Sequence, residues 1–498
     1  MKKLPLLLRP SILTKLPILL LVAIFITPVV LIKLNYQLGL FFIALYISYW
    51  TIKVFESYYY VIRSYFELLD YGRRNFNENE ILLKSGAHVH HVVVVPIYTE
   101  PYDVIEDNVN AILANDFPFM DRITVLLATE SRAPEAEEHS KAIIAKFSRE
   151  KIEIVSVIHP AGLPGEGKVK GSNITHAVRE YERLREADPA HGKLDPHNTF
   201  VSTIDTDTRV EKNFFSIVTY RFVTTEFRDQ AIFQYTPVYS NNWSQGHFFA
   251  RLIAMGTTLW QLFESQNPEF YRNFAVYGQS LLCLQKSDYW SRTSIVEDGL
   301  QYWRSYFAWD GMFRIVNVPA VCRMDLVDET NLWRTITSQY KQLRRWSWGC
   351  TDIEFVLPQF YRNRHIPRWD KIRKSVYLVQ NHLFWAGGSL MLFFIGYIPG
   401  IFESLRTSIA VLTVPFASSI IFTILFSTVV FPGLLSIHIM KRYAKLRKRD
   451  YVFCMLQWML VPMLTLTLFS IPAMESQIRL FVGKRLDSFD TTAKMKRN

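Results

Sequence analysis

The sequence predicts an α/β domain set between apolar helices that cross a membrane. Two observations carry that prediction. Uncharged apolar stretches lie near both ends of the chain, at 16–32 and 38–52 and again from 375 onward. Between them, from about His88 to Pro367, short β-branched runs alternate with stretches of helical spacing, the pattern of a sheet with crossover helices. Composition agrees: 49% of the 498 residues are hydrophobic, yet 20% are charged, which suits a water-soluble domain joined to membrane segments.

Taken in order, 16–32 and 38–52 approach, with their flanks, the ~20 residues needed to cross a bilayer. Lys2, Lys3, Arg9 and Lys15 precede the first. No small-x-small cleavage site follows it and a second apolar segment comes almost at once, so a retained anchor is expected rather than a cleaved signal. Lys53, Arg63, Arg73 and Arg74 then place both outer ends of this hairpin in the cytoplasm. Residues 92–95 form a β-branched run expected as a strand covered on both faces. Residues 103–115 show helical spacing, with Val104, Ile105, Val109, Ile112 and Leu113 apolar, and 123–127, 152–158 and 200–204 are further strands. Ligands of such sheets bind at the strands' carboxyl ends, where Tyr98, Glu100, Glu130 and Asp205 fall.

Beyond the domain, 375–402 and 407–440 are uncharged apolar runs. The longer one is expected to tilt, or to bend near Pro415 or Pro432. The basic cluster Lys441, Arg442, Lys445, Arg447, Lys448 and Arg449 returns the chain to the cytoplasm. The last run, 451–474, is interrupted by Pro462 and Pro472. A simple crossing would leave Lys484, Arg485, Lys494, Lys496 and Arg497 outside; a re-entrant or interfacial helix would keep them inside. Composition leaves both open. The net charge of +11 gathers beside the apolar runs, so lipid headgroups account for it better than nucleic acid, for which no module is present. Cys283, Cys322, Cys350 and Cys454 are dispersed and read as reduced thiols rather than disulfides or a zinc site. His88, His90 and His91 read as a solvated strand entrance, with a metal role as the alternative.

Three motifs carry chemistry. In Asp205-Thr206-Asp207, alternation along an extended chain turns both carboxylates to one side, within reach of one hard cation such as Mg²⁺ or Mn²⁺ bridging a diphosphate; the bland reading is a solvated turn. Glu297-Asp298 precedes an aromatic-rich helix and offers a carboxylate to take a proton from a hydroxyl, or simply a favourable charge at a helix N-terminus. In Gln342-Leu343-Arg344-Arg345-Trp346, Gln342, Arg345 and Trp346 share a helical face. An arginine fork suits diphosphate oxygens and an indole suits a sugar ring. An interfacial helix at headgroup level would look the same.

Together the motifs resemble those of family 2 glycosyltransferases, in the membrane-integrated branch of the cellulose, chitin and hyaluronan synthases. Pro96-Ile97-Tyr98-Thr99-Glu100 is similar to that family's Pro-x-Tyr-x-Glu nucleotide loop, and Gly167-Lys168 with Asn173 to its Gly-Lys…Asn element. The resemblance implies a GT-A-type, Rossmann-like nucleotide-sugar domain. Pro96, Tyr98, Glu100, Lys168 and Asp205 would then lie at the nucleotide, with Asp205 and Asp207 at the metal and Asp298, beside Glu297, as base. It also implies Gln342 and Arg345 on the diphosphate, Trp346 on the acceptor sugar, and Gly278 and Ser280 in an acceptor-side loop. Where many members carry Asp-Asp-x-Ser, this chain has Ala128-Thr129-Glu130-Ser131, so Glu130 would replace the aspartate that contacts the base. The tail Phe489-Asp490-Thr491-Thr492-Ala493-Lys494 resembles the Phe-x-Val-Thr-x-Lys gating loop of cellulose synthases, with Phe489, Thr492 and Lys494 matching.

The resulting expectation is a multi-pass inner or plasma membrane enzyme with a cytoplasmic catalytic domain. It would use a nucleotide-sugar donor, Mg²⁺ or Mn²⁺, and a glycan or lipid-linked acceptor, with membrane lipid around it and no nucleic acid. It would transfer with inversion, polymerise and export. The rivals are a non-processive enzyme acting on a lipid carrier and an inactive scaffold. The expected segments are 1–75 (hairpin), 76–330 (catalytic domain), 331–374 (interfacial helices), 375–474 (membrane helices) and 475–498 (tail).

Overall fold

The computed structural model describes residues 4–188, 192–329, 331–402 and 429–486, with scattered positions between 409 and 426. Much of the apolar run 407–440, together with Phe489, Thr492 and Lys494, lies outside the described residues. The chain divides into two compact units, one comprising Met1–Ile62, Ser244–Ile253 and Asn331–Arg485, the other comprising Arg63–Trp243 and Ala254–Thr330.

The second unit is built on eight strands: β1 (His90–Pro96), β2 (Ile123–Glu130), β3 (Glu153–His159), β4 (Thr199–Thr203), β5 (Arg209–Val210), β6 (Ala231–Tyr239), β7 (Tyr277–Ser280) and β8 (Arg314–Met324). They form one sheet in the order β3-β2-β1-β4-β7-β6-β8-β5. The first half is parallel, with Val94 opposite Leu126 on one side and Thr203 on the other. The second half is mixed: β7 runs antiparallel to both β4 and β6, and β6 runs parallel to β8. The helices Tyr102–Leu113, Pro134–Lys146 and Lys170–Ala187 make the crossovers of the parallel half. This is the α/β sheet the sequence predicts, lying between apolar helices in chain order. The chain builds outward from β1 to β2 and β3, then returns to place β4 on the other flank of β1. That reversal opens a crevice at the carboxyl ends of β1 and β4.

Burial of β1 reaches its first residues. His91, expected at a solvated entrance, is fully covered, and its Nε2 lies 2.8 Å from Thr219 Oγ1. β1 has a neighbour on each side, and Phe117, Phe200 and Phe215 close around the imidazole. Burial pushes its pKa down to about 3.

In the first unit, the helix Leu16–Leu34, the first part of Tyr36–Arg73 and the helix Arg368–Phe394 pack through Ile32, Ile43, Tyr46, Ile47 and Met391, with Ile395 just past the end of the last. Two glycines make the close approach. A Cβ at Gly387 would overlap Leu21 and one at Gly388 would stand 2.7 Å from Trp50, while the Tyr46 hydroxyl donates to the Gly388 carbonyl at 3.0 Å. Among the described residues four helices are long and apolar enough to cross a membrane: Pro10–Leu34, Tyr36–Arg73, Arg368–Ile401 and Lys448–Phe481.

Candidate active site

The crevice beside β1 and β4 collects carboxylates around one ammonium group. Asp205-Thr206-Asp207 leaves the end of β4 as a tight turn closed by the Thr208 N–H on the Asp205 carbonyl at 2.9 Å. The Thr206 hydroxyl donates to the Pro96 carbonyl at 2.8 Å, which ties this turn to the end of β1. Asn108 Nδ2 donates to the Thr208 carbonyl at 2.7 Å and Asn241 Nδ2 to the Asp207 carbonyl at 2.9 Å. With its backbone held at three points and the Thr206 side chain at a fourth, the turn presents a half-buried Asp205 carboxylate beside a buried Asp207.

Lys170, the first residue of its helix, donates from Nζ to Asp205 Oδ1 at 2.7 Å and lies 3.8 Å from Glu297 Oε1. Burial pulls this ammonium's pKa down, but the charges of Asp205, Glu297 and Asp298 outweigh it and the net shift is upward. Glu297 is itself buried. Burial pushes its carboxyl up and Lys170 draws it back, leaving it at about 7. Gly171 makes the arrangement sterically feasible, because a Cβ there would overlap the Ser291 carbonyl and stand 3.2 Å from the Glu297 Cβ.

Asp298 is held by backbone. Its Oδ2 accepts the Ala275 N–H at 3.1 Å and its Oδ1 the Gly299 N–H at 2.8 Å. Ala275 has φ +51°, a left-handed conformation that side chains other than glycine seldom adopt. Asn273 Nδ2 reinforces the loop by donating to the Asp298 carbonyl at 2.6 Å. A carboxylate held this way keeps its orientation while its half-buried position leaves it reachable.

A second cluster sits at the ends of β1 and β2. The Tyr98 N–H donates to Glu100 Oε2 at 2.6 Å. Glu130 is buried and paired with Arg132, whose guanidinium lies 5.5 Å from the Tyr98 ring centroid. Asn173 donates to the Ala128 carbonyl at 2.8 Å, so its visible part is to anchor the helix under β2. Lys168 is exposed in the extended segment before that helix, two residues short of the ammonium that meets the carboxylates. Pattern reading singled out Lys168 and passed over Lys170; the signal for the latter was only a second lysine, one step inside a helix start.

Gly278 and Ser280 lie within β7 and are buried. A Cβ at Gly278 would overlap Tyr235 and Phe200, and the Ser280 hydroxyl accepts the Cys283 N–H at 3.2 Å as a helix cap. Gln342, Arg345 and Trp346 belong to the other unit, on the helix Leu332–Ser347, where all three are half-buried.

Among the described residues no group of three or more His, Cys, Asp and Glu side chains is placed to hold a metal by itself. Mg²⁺ and Mn²⁺ bind through one or two carboxylates together with substrate phosphates, and Asp205 and Asp207 supply hard oxygen ligands of that kind. The residues present fit a cation that arrives with a diphosphate.

No family model matches the chain, and no curated protein does. Solved structures do align with it. A mannosyltransferase, PcManGT from Pyrobaculum calidifontis in complex with GDP-Man and Mn²⁺, shares 10% identity over 74% of this chain and 96% of its own, with a TM-score of 0.38. The S. aureus TarS fragment 1-349 in complex with UDP-GlcNAc shares 10% identity over 76% of this chain and 91% of its own, with a TM-score of 0.37. GalNAc-T7 with UDP, GalNAc and Mn²⁺ shares 10% over 59% and 58%, with a TM-score of 0.34. At these scores the likenesses carry no argument about this chain.

Proposed function

We propose that the chain is a membrane-integrated glycosyltransferase of the family 2, GT-A type, transferring a sugar from a nucleoside diphosphate onto a hydroxyl with inversion. The observation that carries this reading is the crevice at the β1/β4 reversal. There Asp205 and Glu297 converge on Lys170, with Asp207 two residues along the same turn as Asp205, and Asp298 is held by two backbone N–H groups. Asp298 takes the proton of the acceptor hydroxyl, whose oxygen attacks the anomeric carbon as the bond to the diphosphate breaks. Its two N–H donors fix the carboxylate's orientation before substrate arrives. Lys170 places positive charge among the carboxylates, so that an anionic diphosphate meets less repulsion. Asp205 and Asp207 would hold a divalent cation brought in with the diphosphate, and that ion would supply neutralising charge at the leaving group.

In the same reading Tyr98, Glu100, Glu130 and Lys168 meet the nucleotide, while Gln342 and Arg345 meet the diphosphate and Trp346 the acceptor sugar. The soluble unit faces the cytoplasm, and polymer is made and exported in one process. Release of nucleoside diphosphate from a panel of sugar nucleotides, with Mg²⁺ or Mn²⁺, identifies the donor. Asp298→Asn is expected to lower that release by a factor of 10² to 10⁴, on the order expected for losing a general base; undiminished release overturns the base assignment. Product length on purified protein separates a polymerase from an enzyme that adds one sugar to a lipid carrier.

A further inference from the structure

The last apolar segment is long enough to cross a membrane, yet both of its ends are pinned to parts of the chain that lie on one side. Among the described residues no candidate span falls between 74 and 367, so Arg251 and Arg344 share a side. At the start of the segment, Arg251 Nη1 lies 3.2 Å from Asp450 Oδ1, and both side chains are more than nine-tenths buried. Arg251 also donates to the Gly246 carbonyl at 2.9 Å and the Ser244 carbonyl at 3.2 Å. An ion pair so enclosed does not form across a bilayer.

At the other end, Glu475 gathers three donors: the Tyr340 hydroxyl at 2.6 Å, Arg344 Nη1 at 3.1 Å and Arg479 Nε at 2.6 Å. Ser476 adds a bond to the Arg344 carbonyl at 3.0 Å, and its hydroxyl meets that of Ser347 at 2.9 Å. A third pin agrees. Lys15 lies 5.9 Å from the Phe481 ring centroid, and two spans separate Lys15 from residue 74, which returns it to the same side.

Between the pins the segment goes deep. Ser389 donates to the Thr465 carbonyl at 3.2 Å and meets Ser470 Oγ at 2.9 Å. Ser389 sits within the span Arg368–Ile401, about 18 Å of helix rise short of its far end. The backbone there is irregular: helix at Lys448–Leu456, a tighter turn at Gln457–Leu460, a short helix at Val461–Leu464 and a wider turn at Thr465–Phe469 before Ser470–Phe481. The helix is continuous from Lys448 to Phe481, but these changes of helix type around Pro462 are where sharp kinks arise, and a kink between the two pins is what brings both ends back to one side.

We propose that 451–474 is a re-entrant arm that enters and leaves on the side of residues 74–367, and that its returning helix positions the motif helix Leu332–Ser347 through Glu475. The faces of that helix divide accordingly. Tyr340, Arg344 and Ser347 meet the returning helix, whereas Gln342, Arg345 and Trp346 fall on another face. Glu475 thus holds Arg344 in place and sets the rotation of its neighbours. This second clause rests on the transferase reading; the topology does not.

The test uses full-length protein in sealed vesicles of known orientation, with a membrane-impermeant maleimide. The four native cysteines are buried, so background is low. Arg364→Cys reports the side of the soluble residues and Asn35→Cys the opposite side. Lys484→Cys is expected to label with Arg364→Cys. Labelling together with Asn35→Cys overturns the proposal, whatever the enzyme does. For the positioning role, Glu475→Gln is expected to raise the donor KM about tenfold with kcat changed far less, and Arg344→Gln to add little on top of it. A fall in kcat alone, or fully additive effects, overturns that role while leaving the labelling result standing.

Discussion

Removing the ammonium of Lys170 is the most direct probe of the crevice. Lys170→Met keeps much of the side chain's bulk and leaves Glu297, with only 6% of its side chain exposed, facing Asp205 and Asp298 without a counter-charge. At 3.8 Å and an effective dielectric of about 20, the lost attraction to Glu297 is about 4 kcal/mol. Glu297 can escape part of this by taking a proton, since its carboxyl already titrates at about 7. Removing one partner of a buried pair costs about 3–5 kcal/mol, so a net loss near the low end is expected. That corresponds to a fall in melting temperature of roughly 6–12 °C for a unit of this size. Melting of the detergent-solubilised full chain measures it. Lys170→Met/Glu297→Gln should recover at least about half of the fall, because the stranded charge is gone. If the double variant melts at the sum of the two single losses, the pair is not coupled and the account of the crevice fails.

Gly171→Ala should destabilise by about 1–3 kcal/mol, since the added carbon meets a backbone carbonyl that cannot swing away. Gly256→Ala, inside a helix with nothing within 4 Å of the new atom, should instead gain up to about 1 kcal/mol; equal melting shifts of like sign would contradict the close approach. Acidification should weaken the sheet-bearing unit through His91. Its folded pKa of about 3 lies below its ordinary 6.5, so between those values the unfolded chain takes up a proton that the folded one refuses. Its stabilising contribution is intact above about pH 6.5 and falls by about 1.4 kcal/mol per pH unit below it. His91→Phe should flatten the melting-versus-pH curve over that range, and an unchanged slope would refute the assignment.

The parallel half of the sheet was legible because β1, β2 and β4 are apolar runs followed by chemistry-bearing residues, and the helices between them keep clear spacing. The antiparallel half was not. β5 has 2 residues and β7 has 4, too short for alternation to register, and β6 and β8 carry Pro237 and Pro319, which argue against central strands when read alone. Asp205, Asp207 and Asp298 stood out by position, at a strand end or a helix start. Lys170 did not, because Lys168 and Lys170 are alternatives until the helix start is known, and the two residues between them, about 200° of helical rotation, put them on opposite sides. The grip on Asp298 was invisible for a similar reason. It depends on the left-handed backbone of Ala275, and alanine gives no hint of it.

The paired glycines at 387 and 388 bear on how the chain is made. The Tyr46 hydroxyl that bonds to Gly388 is separated from it by 342 residues. At a synthesis rate of about 5–20 residues per second, Tyr46 precedes its partner by on the order of 20–70 s. For that interval the sides of Ile32, Ile43 and Tyr46 that Met391 and Ile395 later cover have only lipid or the insertion machinery to face, and the sheet-bearing unit emerges meanwhile. The hairpin must therefore persist as a free pair of helices, and the notch in the third span closes on a surface that has been waiting for it.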